Sequence, residues 1–197
     1  MAGMLSNPSK MPGKAWNISA KECGVGSALR KVPGSVCSKC YALKGRYLFQ
    51  NVQNALDRRL DEMLNSPTWT TDMADAITRE SPEYFRWFDS GDIQDGDHLD
   101  KIAEVCRLTP DTQHWLPTKE YKIAMKWLKA NQKPANLTVR LSAHMIDGQP
   151  PTGYGLPTST VVTNGSTTCP AKKQGNQCGD CRACWQPDVQ TVAYPAH

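Results

Sequence analysis

The sequence predicts an α/β fold, a partial and open TIM-like barrel with a C-terminal cysteine-rich module. Strand-like and helix-like segments alternate along most of the chain, which is typical of parallel sheets with right-handed crossovers. The 197 residues are fewer than the about 250 of a closed eight-unit barrel, so we expect about five or six strands. Seven of the eight cysteines lie in two clusters, near the two ends of the chain.

Composition limits both the architecture and the classes of function. We expect a single domain over residues 1–197, with the barrel over 15–165 and the cysteine-rich module over 166–186. The net charge of +4, without a Lys/Arg block, permits a nucleic-acid partner but does not indicate one. No apolar run is long enough for a membrane span or a secretory leader, so we expect no membrane association and a cytoplasmic location. In that reducing compartment, eight cysteines favour metal or redox chemistry over disulfides.

Two amphipathic helices are predicted in the first half of the chain. Apolar side chains recur at helical spacing from Val52 to Leu64, with charged residues on the opposite face. Ser66 and Pro67 then supply an N-cap and a first-turn proline for a second helix that ends near residue 79.

Strands and helices alternate in the second half. The aromatic run 83–88 is typical of a strand, Asp97 is the predicted cap of the following helix, and Thr118 is the predicted cap of the next one. The predicted elements are, in order, a short strand at 16–18, a cysteine loop at 23–40, helices at 47–64 and 66–79, a strand at 83–88, a helix from 97 to Pro110, a strand at 112–116, a helix at 118–131, strands at 136–141 and 159–163, and the cysteine segment 169–185.

The C-terminal cysteines carry the most specific signal. Cys178, Cys181 and Cys184 follow one another at x2 spacing, and Cys169 supplies a more distant fourth thiol. A structural zinc ion is usually bound by two Cys-x2-Cys pairs that lie far apart in the sequence. Three closely spaced cysteines with a distant fourth are typical of cubane iron–sulfur clusters. The spacing therefore favours a [4Fe-4S] cluster, with zinc as the alternative.

The N-terminal cysteines form a second, less specific set. Cys23, Cys37 and Cys40 follow an x13 and then an x2 spacing, with no fourth cysteine nearby. Three thiols would leave one metal corner open for substrate or cofactor. The alternative is one cluster shared with the C-terminal cysteines, so the sequence leaves one cluster or two open. Cys106 lies on an apolar helix face, where a buried small hydrophobe is the simplest interpretation.

The carboxyl ends of the predicted strands bring polar residues to one edge, where barrel folds gather functional groups. Asp89, Asp92 and Gly91 there would suit an amine or hydroxyl ligand, or are simply turn residues. Lys119 is either a helix-start charge or a ligand for a carboxylate or phosphate. His144 is a candidate at the same edge, whereas His98 is expected to be solvated. In chain order this edge carries loop 23–40 and residues 89–92, 118–119 and 142–144.

Three ordered motifs are distributed along the chain. They are Cys37-x-x-Cys40-Tyr41-Ala42-x-x-Gly45-x-Tyr47, Phe85-Arg-Trp-Phe-Asp-Ser-Gly-Asp92, and Cys169-Pro…Cys178-x-x-Cys181-Arg-Ala-Cys184-Trp185. Together they resemble a phage-encoded family, known from mycobacteriophages and others as the gene-product-88 family. The resemblance runs over roughly residues 16–185 and implies a phage origin and metal binding.

More distantly, the layout is similar to that of radical SAM enzymes. In those enzymes a three-cysteine loop after the first strand binds a [4Fe-4S] cluster whose open iron takes S-adenosylmethionine, and a Gly-Gly-Glu-like motif holds the methionine amino group. The similarity implies that Cys23, Cys37 and Cys40 hold such a cluster. The spacing here is Cys-x13-Cys-x2-Cys in place of Cys-x3-Cys-x2-Cys, and Asp92 stands where the motif has glutamate.

The same resemblance assigns roles at the strand edge. Asp92, Asp89 and Lys119 are the catalytic candidates. The cofactor-binding candidates are Ser90, Gly91, Arg140 and Ser142.

The hypothesis from the sequence is thus a phage-encoded iron–sulfur protein of the host cytoplasm, with a radical SAM-like or redox role toward a small molecule or host protein. The alternative is a non-catalytic protein whose structural iron–sulfur or zinc site supports binding of a protein or nucleic acid.

Overall fold

A six-stranded, all-parallel sheet forms the centre of the protein. Its strands are β1 (Lys14–Trp16), β2 (Tyr84–Trp87), β3 (Gln113–Thr118), β4 (Leu137–Ile146), β5 (Thr158–Val162) and β6 (Thr191–Pro195). The computed structural model describes residues 3–80, 82–165 and 167–196. Within them the strands pair in chain order and β1 does not pair with β6, so the sheet is open. Residue 166, the first of the expected cysteine-rich module, and residues 1, 2, 81 and 197 of the expected domain lie outside the described residues.

Helices occupy the first three connections between strands. They are α1 (Gly24–Leu29), α2 (Gln50–Asn65) and α3 (Trp69–Glu80) before β2, α4 (Gly96–Leu108) before β3, and α5 (Tyr121–Ala130) before β4. In the described residues of the last two connections, the helical elements are two short 3-10 turns, Thr152–Tyr154 and Ala171–Lys173. In the described part of the chain, no helix combines the length and apolar character needed to cross a membrane.

The alternating pattern of the sequence is confirmed, but two predicted helix caps are wrong. The cap of α4 is Asp95, whose side chain accepts a hydrogen bond from His98 N at 2.8 Å, and not Asp97. A capping side chain must reach the amide two or three residues ahead, and here the helix begins at Gly96. Thr118 is the last residue of β3, and Glu120 precedes α5.

A further strand, β6, follows the cysteine segment, so residues 159–163 are not the last strand as predicted. The stretch is five residues long and contains Pro195, which gives a weak strand pattern. Its pairing with β5, in the register Thr158↔Thr191, places it at the edge of the sheet. Only this long-range pairing identifies it as a strand.

The two faces of the sheet differ in character. Side chains that alternate along β2 and β4, such as Phe85, Trp87 and Val139, join the apolar core under the helices. The intervening residues, including Arg86 and Arg140, belong to the opposite face. The cysteine segment packs there, because Thr138 Oγ1 donates to Trp185 O at 2.7 Å.

Two histidines and a cysteine lie inside the core. Cys106 is fully buried, as predicted. His98 was expected to be solvated, but it is 1% exposed and contacts the Trp16 and Phe88 rings edge-on, at centroid distances of 5.5 Å. His114 is also buried and stacks on Trp87. Burial lowers the pKa of both imidazoles to about 3, so both are neutral near pH 7.

Candidate metal centre

The loop that carries the first three cysteines is held against the sheet by protein contacts. Ser35 is fully buried, and its hydroxyl donates to Leu29 O at 2.5 Å. An isolated antiparallel bridge joins Ser35 to Met145, and Ile146 N donates to Gly34 O at 2.9 Å. The loop therefore extends from the end of β1 to the end of β4 and covers the carboxyl edge of the sheet.

Cys23 and Cys37 lie beside Gly26 in this loop, and Cys40 is close enough for its charge to act on both thiols. A Cβ at Gly26 would lie 2.8 Å from Cys23 Cβ, 3.4 Å from Cys23 Sγ and 3.7 Å from Cys37 Sγ, so the glycine leaves room between the two thiols. Burial raises the pKa of the Cys23 thiol to about 12. The charge of Asp92 is the next cause, followed by those of Cys37 and Cys40, which places these groups near one another.

Lys119 is a cation close to Cys23 and Cys37. Its charge lowers the pKa of Cys23 and is the largest influence opposing the burial that raises the pKa of Cys37. A nearby ammonium favours the thiolate, which is the form that binds metal. Lys119 thus lies close to the thiols, and its expected role as a ligand for a carboxylate or phosphate stays a prediction.

Asp92 joins the end of β2 to the end of β3. Its Oδ1 accepts hydrogen bonds from Thr118 Oγ1 at 2.6 Å and Ile93 N at 2.9 Å, and Oδ2 accepts one from Lys119 N at 2.8 Å. Burial raises the pKa of this carboxyl group to about 6, although the hydrogen bonds oppose the shift. A carboxylate has about four lone-pair sites, so one site on Oδ2 remains for a ligand.

Glu120 is a site residue that sequence reasoning missed. Its carboxylate is buried, and Oε1 accepts a hydrogen bond from Val25 N at 2.6 Å. This contact ties α1, which follows Cys23 directly, to the end of β3. The available signal was an acidic residue immediately after Lys119 at a predicted strand end.

Ser90 and Gly91 fasten the end of β2 to the segment after β1. Ser90 Oγ donates to Ile18 O at 2.7 Å, and Ile18 N donates to Ser90 O at 3.3 Å. Gly91 has φ +81°, and a Cβ there would lie 2.3 Å from Ile18 Cγ1, so only glycine fits. The described contacts of these two residues are structural.

Asp89 belongs to a different group of side chains from Asp92. Its Oδ1 accepts a hydrogen bond from Asn17 Nδ2, and its backbone carbonyl accepts one from the Tyr41 hydroxyl. Burial raises the pKa of Tyr41 and Tyr47, and the charge of Asp89 raises it further. The carboxylate that acts on Cys23 and Cys37 is instead Asp92.

Ser142 and His144 remain at the edge near Lys119. Ser142 Oγ accepts a hydrogen bond from Ser159 Oγ at 3.2 Å, and its carbonyl accepts one from the Tyr121 hydroxyl. His144 Nε2 lies 3.2 Å from Lys119 O, and its ring stacks on Tyr121 with centroids 4.4 Å apart. His144 is therefore a neighbour of the backbone at Lys119.

The C-terminal cysteines form a second, separate set. Burial raises the pKa of Cys178, and the charges of Cys169 and Cys181 raise it further. Burial raises the pKa of Cys184 to about 11, with Cys169 again a neighbour, and the Tyr194 hydroxyl lies 3.0 Å from Cys184 Sγ. In the described residues, none of the charge interactions that shift these pKa values joins the two sets.

Arg140 lies under this second set and not at the mouth of the first, where the sequence analysis placed it. Its fully buried guanidinium donates to five carbonyl oxygens at 2.9–3.4 Å. The acceptors are the carbonyls of Thr158, Ala183, Cys184, Gln186 and Val189. An arginine fork therefore holds the backbone on both sides of Cys184.

Arg86 lies between the two cysteine sets and was also missed. Its guanidinium is 4.6 Å from the Trp115 ring centroid, and its buried Nε has no hydrogen-bond partner among the described residues. Burial lowers the pKa of Arg86, but the charges of nearby groups raise it above its ordinary value. These neighbours are Tyr41, Asp89, Tyr194 and Cys184. An arginine within an aromatic strand was the available signal.

The donor sets differ from a single-ion site. All eight cysteines are free thiols. In the part of the chain that the structure describes, no three His, Cys, Asp or Glu side chains close around one ion position. A [4Fe-4S] cluster takes one thiolate at each iron corner and so accepts cysteines around a larger volume. The structure thus presents one set of three thiols, with space left by Gly26, and one set of four.

Comparison with known proteins places the chain in a family. No match was found among the curated proteins or among the solved structures. The family described as Gene product 88 matches residues 12–187, which include both cysteine sets and confirm the resemblance seen in the three motifs. The chain belongs to the Gene product 88 family.

Proposed function

We propose that this protein is an iron–sulfur protein with two separate clusters and a radical SAM-like first site, built on a partial TIM-like barrel with a C-terminal cysteine module. The observation that carries the proposal is the convergence of Cys23, Cys37 and Cys40 with Asp92 and Lys119 at the carboxyl edge of a parallel sheet. We place its action in the cytoplasm of a bacterial host, on a small molecule or a host protein.

The three thiols of the first set would hold a [4Fe-4S] cluster with one open iron. When bound and reduced, such a cluster supplies one electron to S-adenosylmethionine on the open iron. Lys119 favours the thiolate forms of Cys23 and Cys37. The spare lone pair on Asp92 Oδ2 would accept a hydrogen bond from the amino group of the cofactor, and the bonds from Thr118 and Lys119 keep the carboxylate in place.

The second set would hold a fully ligated cluster. Four thiols leave no corner for a substrate, so its role is structural or electron-transferring. The positive charges of Arg86 and Arg140 act on Cys184 and offset the negative charge of such a centre. The hydrogen bond between Cys184 and Tyr194 is the kind of second-shell contact that tunes a metal site.

Iron content tests the two-cluster proposal. Anaerobically reconstituted protein should contain about eight iron and eight sulfide per chain, with broad absorbance near ~400 nm. Cys40→Ala and Cys181→Ala should each lower the iron to about four, because each removes a ligand of one set. About four iron in the wild type, lost entirely in either variant, would mean one shared site.

Cofactor binding tests the radical SAM-like site. S-adenosylmethionine added to the reduced protein should change the EPR signal of the first cluster, which is the signal that is lost in Cys40→Ala. The signal of the second cluster, which is lost in Cys181→Ala, should not change. Asp92→Asn should weaken the effect, since an amide offers the cofactor amine a poorer acceptor. An unchanged EPR spectrum at saturating cofactor would refute a radical SAM-like role. It would not contradict the two-cluster proposal, which the iron content tests separately.

A second candidate function is non-catalytic. Three of the about four lone-pair sites of Asp92 are occupied by protein donors, which is also what a purely structural carboxylate would show. In this version the cysteines hold a structural iron–sulfur or zinc site, and the protein acts by binding a protein or nucleic acid. Colourless protein with stoichiometric zinc and no sulfide would refute the first proposal and support the zinc form of this one.

A further inference from the structure

The net positive charge of the protein arises in one segment, residues 20–49, which we call the basic loop. It contains six Lys and Arg residues and a single acidic residue, Glu22, so its net charge is +5. The whole chain has a net charge of +4, so the other 167 residues together carry −1. The positive charge of the molecule therefore lies at the carboxyl edge of the sheet, around the first cysteine set. The cations are Lys21, Arg30, Lys31, Lys39, Lys44 and Arg46.

Most of these cations face solvent without a partner charge. All except Arg30 are exposed. The ion pairs among the described residues lie elsewhere, at Lys14–Glu80, Arg58–Glu62 and Arg107–Glu104. Like charges that are left unpaired on one surface repel each other, and an anionic partner relieves that repulsion.

The same edge also exposes large apolar side chains. Leu48 and Phe49 of the basic loop are 59% and 58% exposed, and Tyr154 of the loop after β4 is 45% exposed. The Tyr154 ring lies 5.5 Å from that of Tyr121, which stacks on His144. Exposed aromatic rings therefore occur both in the basic loop and in the loop after β4.

We infer that the basic loop binds single-stranded nucleic acid across the carboxyl edge of the sheet. Unpaired cations match a phosphate backbone, and exposed aromatic rings stack on unpaired bases, the combination that single-strand binding surfaces use. In a duplex, the stacked base pairs would hide the base faces from Phe49 and Tyr154. An acidic peptide supplies negative charges but has no aromatic base at each residue to stack on these rings. Asp95 and Asp97 at the start of α4 are exposed, and their negative charges would repel a phosphate backbone there.

This inference does not depend on a metal in either cysteine set. It also offers a reason for cations and aromatic side chains to surround the first set. If the proposed function holds as well, nucleic acid becomes the substrate class of that site. The binding measurement below does not read out iron, so the two ideas fail independently.

Fluorescence anisotropy with the full-length protein tests the inference. A labelled mixed-sequence single strand of ~20 nucleotides should bind, with affinity falling as salt rises by a slope of about 0.7 per phosphate contact. Lys44→Glu with Arg46→Glu should weaken binding by at least about tenfold and lower that slope by about 1.4. Lys126→Glu with Lys129→Glu makes the same charge change on exposed positions of α5 and should have little effect.

The aromatic contribution has its own control. Phe49→Ala should weaken binding about fivefold or more through lost stacking. Leu108→Ala removes an exposed apolar side chain far from the edge and should not change binding. Equal loss in the Lys126/Lys129 control, tighter binding to a duplex of the same length, or full competition by polyglutamate would each overturn the inference. So would the absence of binding at low salt.

Discussion

Arg140 is a single side chain that organises an entire segment. Its guanidinium is the shared donor for five carbonyl oxygens, four of them within residues 183–189 around Cys184. Burial lowers its pKa, yet the carbonyl dipoles replace the water that the charge has lost. The residue therefore works as a positioning group for the second cysteine set.

Replacement of Arg140 by lysine should damage the second site selectively. An ammonium offers three donors without the planar fork, so at least two buried carbonyls lose their partner. We expect the free energy of unfolding to fall by at least about 2 kcal/mol, measured by urea denaturation. Bound iron should fall to about half, because only the first set keeps its geometry. Arg107→Lys on the exposed face of α4 is the matched control, and equal losses there would contradict the assignment.

Cys106 tests whether a buried cysteine outside the two sets binds metal. It is fully buried on α4 and far from both cysteine sets in its contacts. Cys106→Ala should keep the wild-type iron content and lose at most about 1 kcal/mol of stability. Cys181→Ala should lose the iron of the second site. Iron loss in the Cys106 variant would show that this thiol is a ligand.

At the scale of elements, the first cysteine set depends on how α1 and the strand ends meet. Glu120 holds the start of α1 through Val25 N, and Asp92 joins β2 to β3. Gly26 lies in α1 between two thiols. The site is therefore assembled from the ends of several elements, and each contact places a thiol or a neighbouring charge.

Gly26→Ala tests whether the space beside the thiols matters. Alanine normally stabilises a helix relative to glycine, by about 1 kcal/mol. Here the added methyl group would lie 2.8 Å from Cys23 Cβ, so we expect iron loss from the first site and an unchanged second site. Gly96→Ala in α4, where nothing lies within 4 Å of the added Cβ, should keep all its iron. Full iron occupancy in Gly26→Ala would refute the packing argument.

At the scale of the whole molecule, two neutral histidines in the core link stability to pH. Thr109 Oγ1 donates to Val105 O, so His114 Nε2, 2.9 Å from that hydroxyl, must carry the proton in the neutral ring. His98 lies among aromatic rings, and its buried Nε2 has no hydrogen-bond partner among the described residues. Burial lowers the pKa of His98 and outweighs the charge of Asp95, which favours the protonated ring.

Stability should therefore fall as the pH falls below about 6.5. The folded-state pKa of both residues is lowered to about 3, so the unfolded chain binds two more protons than the native one between those values. From pH 7.5 to 5.5 the two histidines should cost about 3 kcal/mol of unfolding free energy. Asp92, whose pKa is raised to about 6, opposes this with a smaller gain.

Chemical denaturation at several pH values measures the effect. His98→Gln and His114→Gln should each remove about half of the histidine-dependent loss, whatever their stability at pH 7.5. The exposed control Lys126→Gln should retain the full loss. A pH dependence in both histidine variants equal to that of the wild type would contradict the assignment.

The sequence alone determined the order of elements up to β5, the helices from 50 to 80, the parallel sheet and the grouping of seven cysteines near the two ends, because apolar periodicity and cysteine spacing are local. Tertiary structure decided what those patterns leave open. Side chains alternate between the two faces of β4, and β4 pairs with β3. Together these place Arg140 against the C-terminal cysteine segment, away from the first cysteine set. Strand register brings Asp92 to Thr118 and lets Glu120 reach α1. Pairing with β5 makes β6 a strand. These contacts join residues far apart in the chain, and no local pattern encodes such pairings.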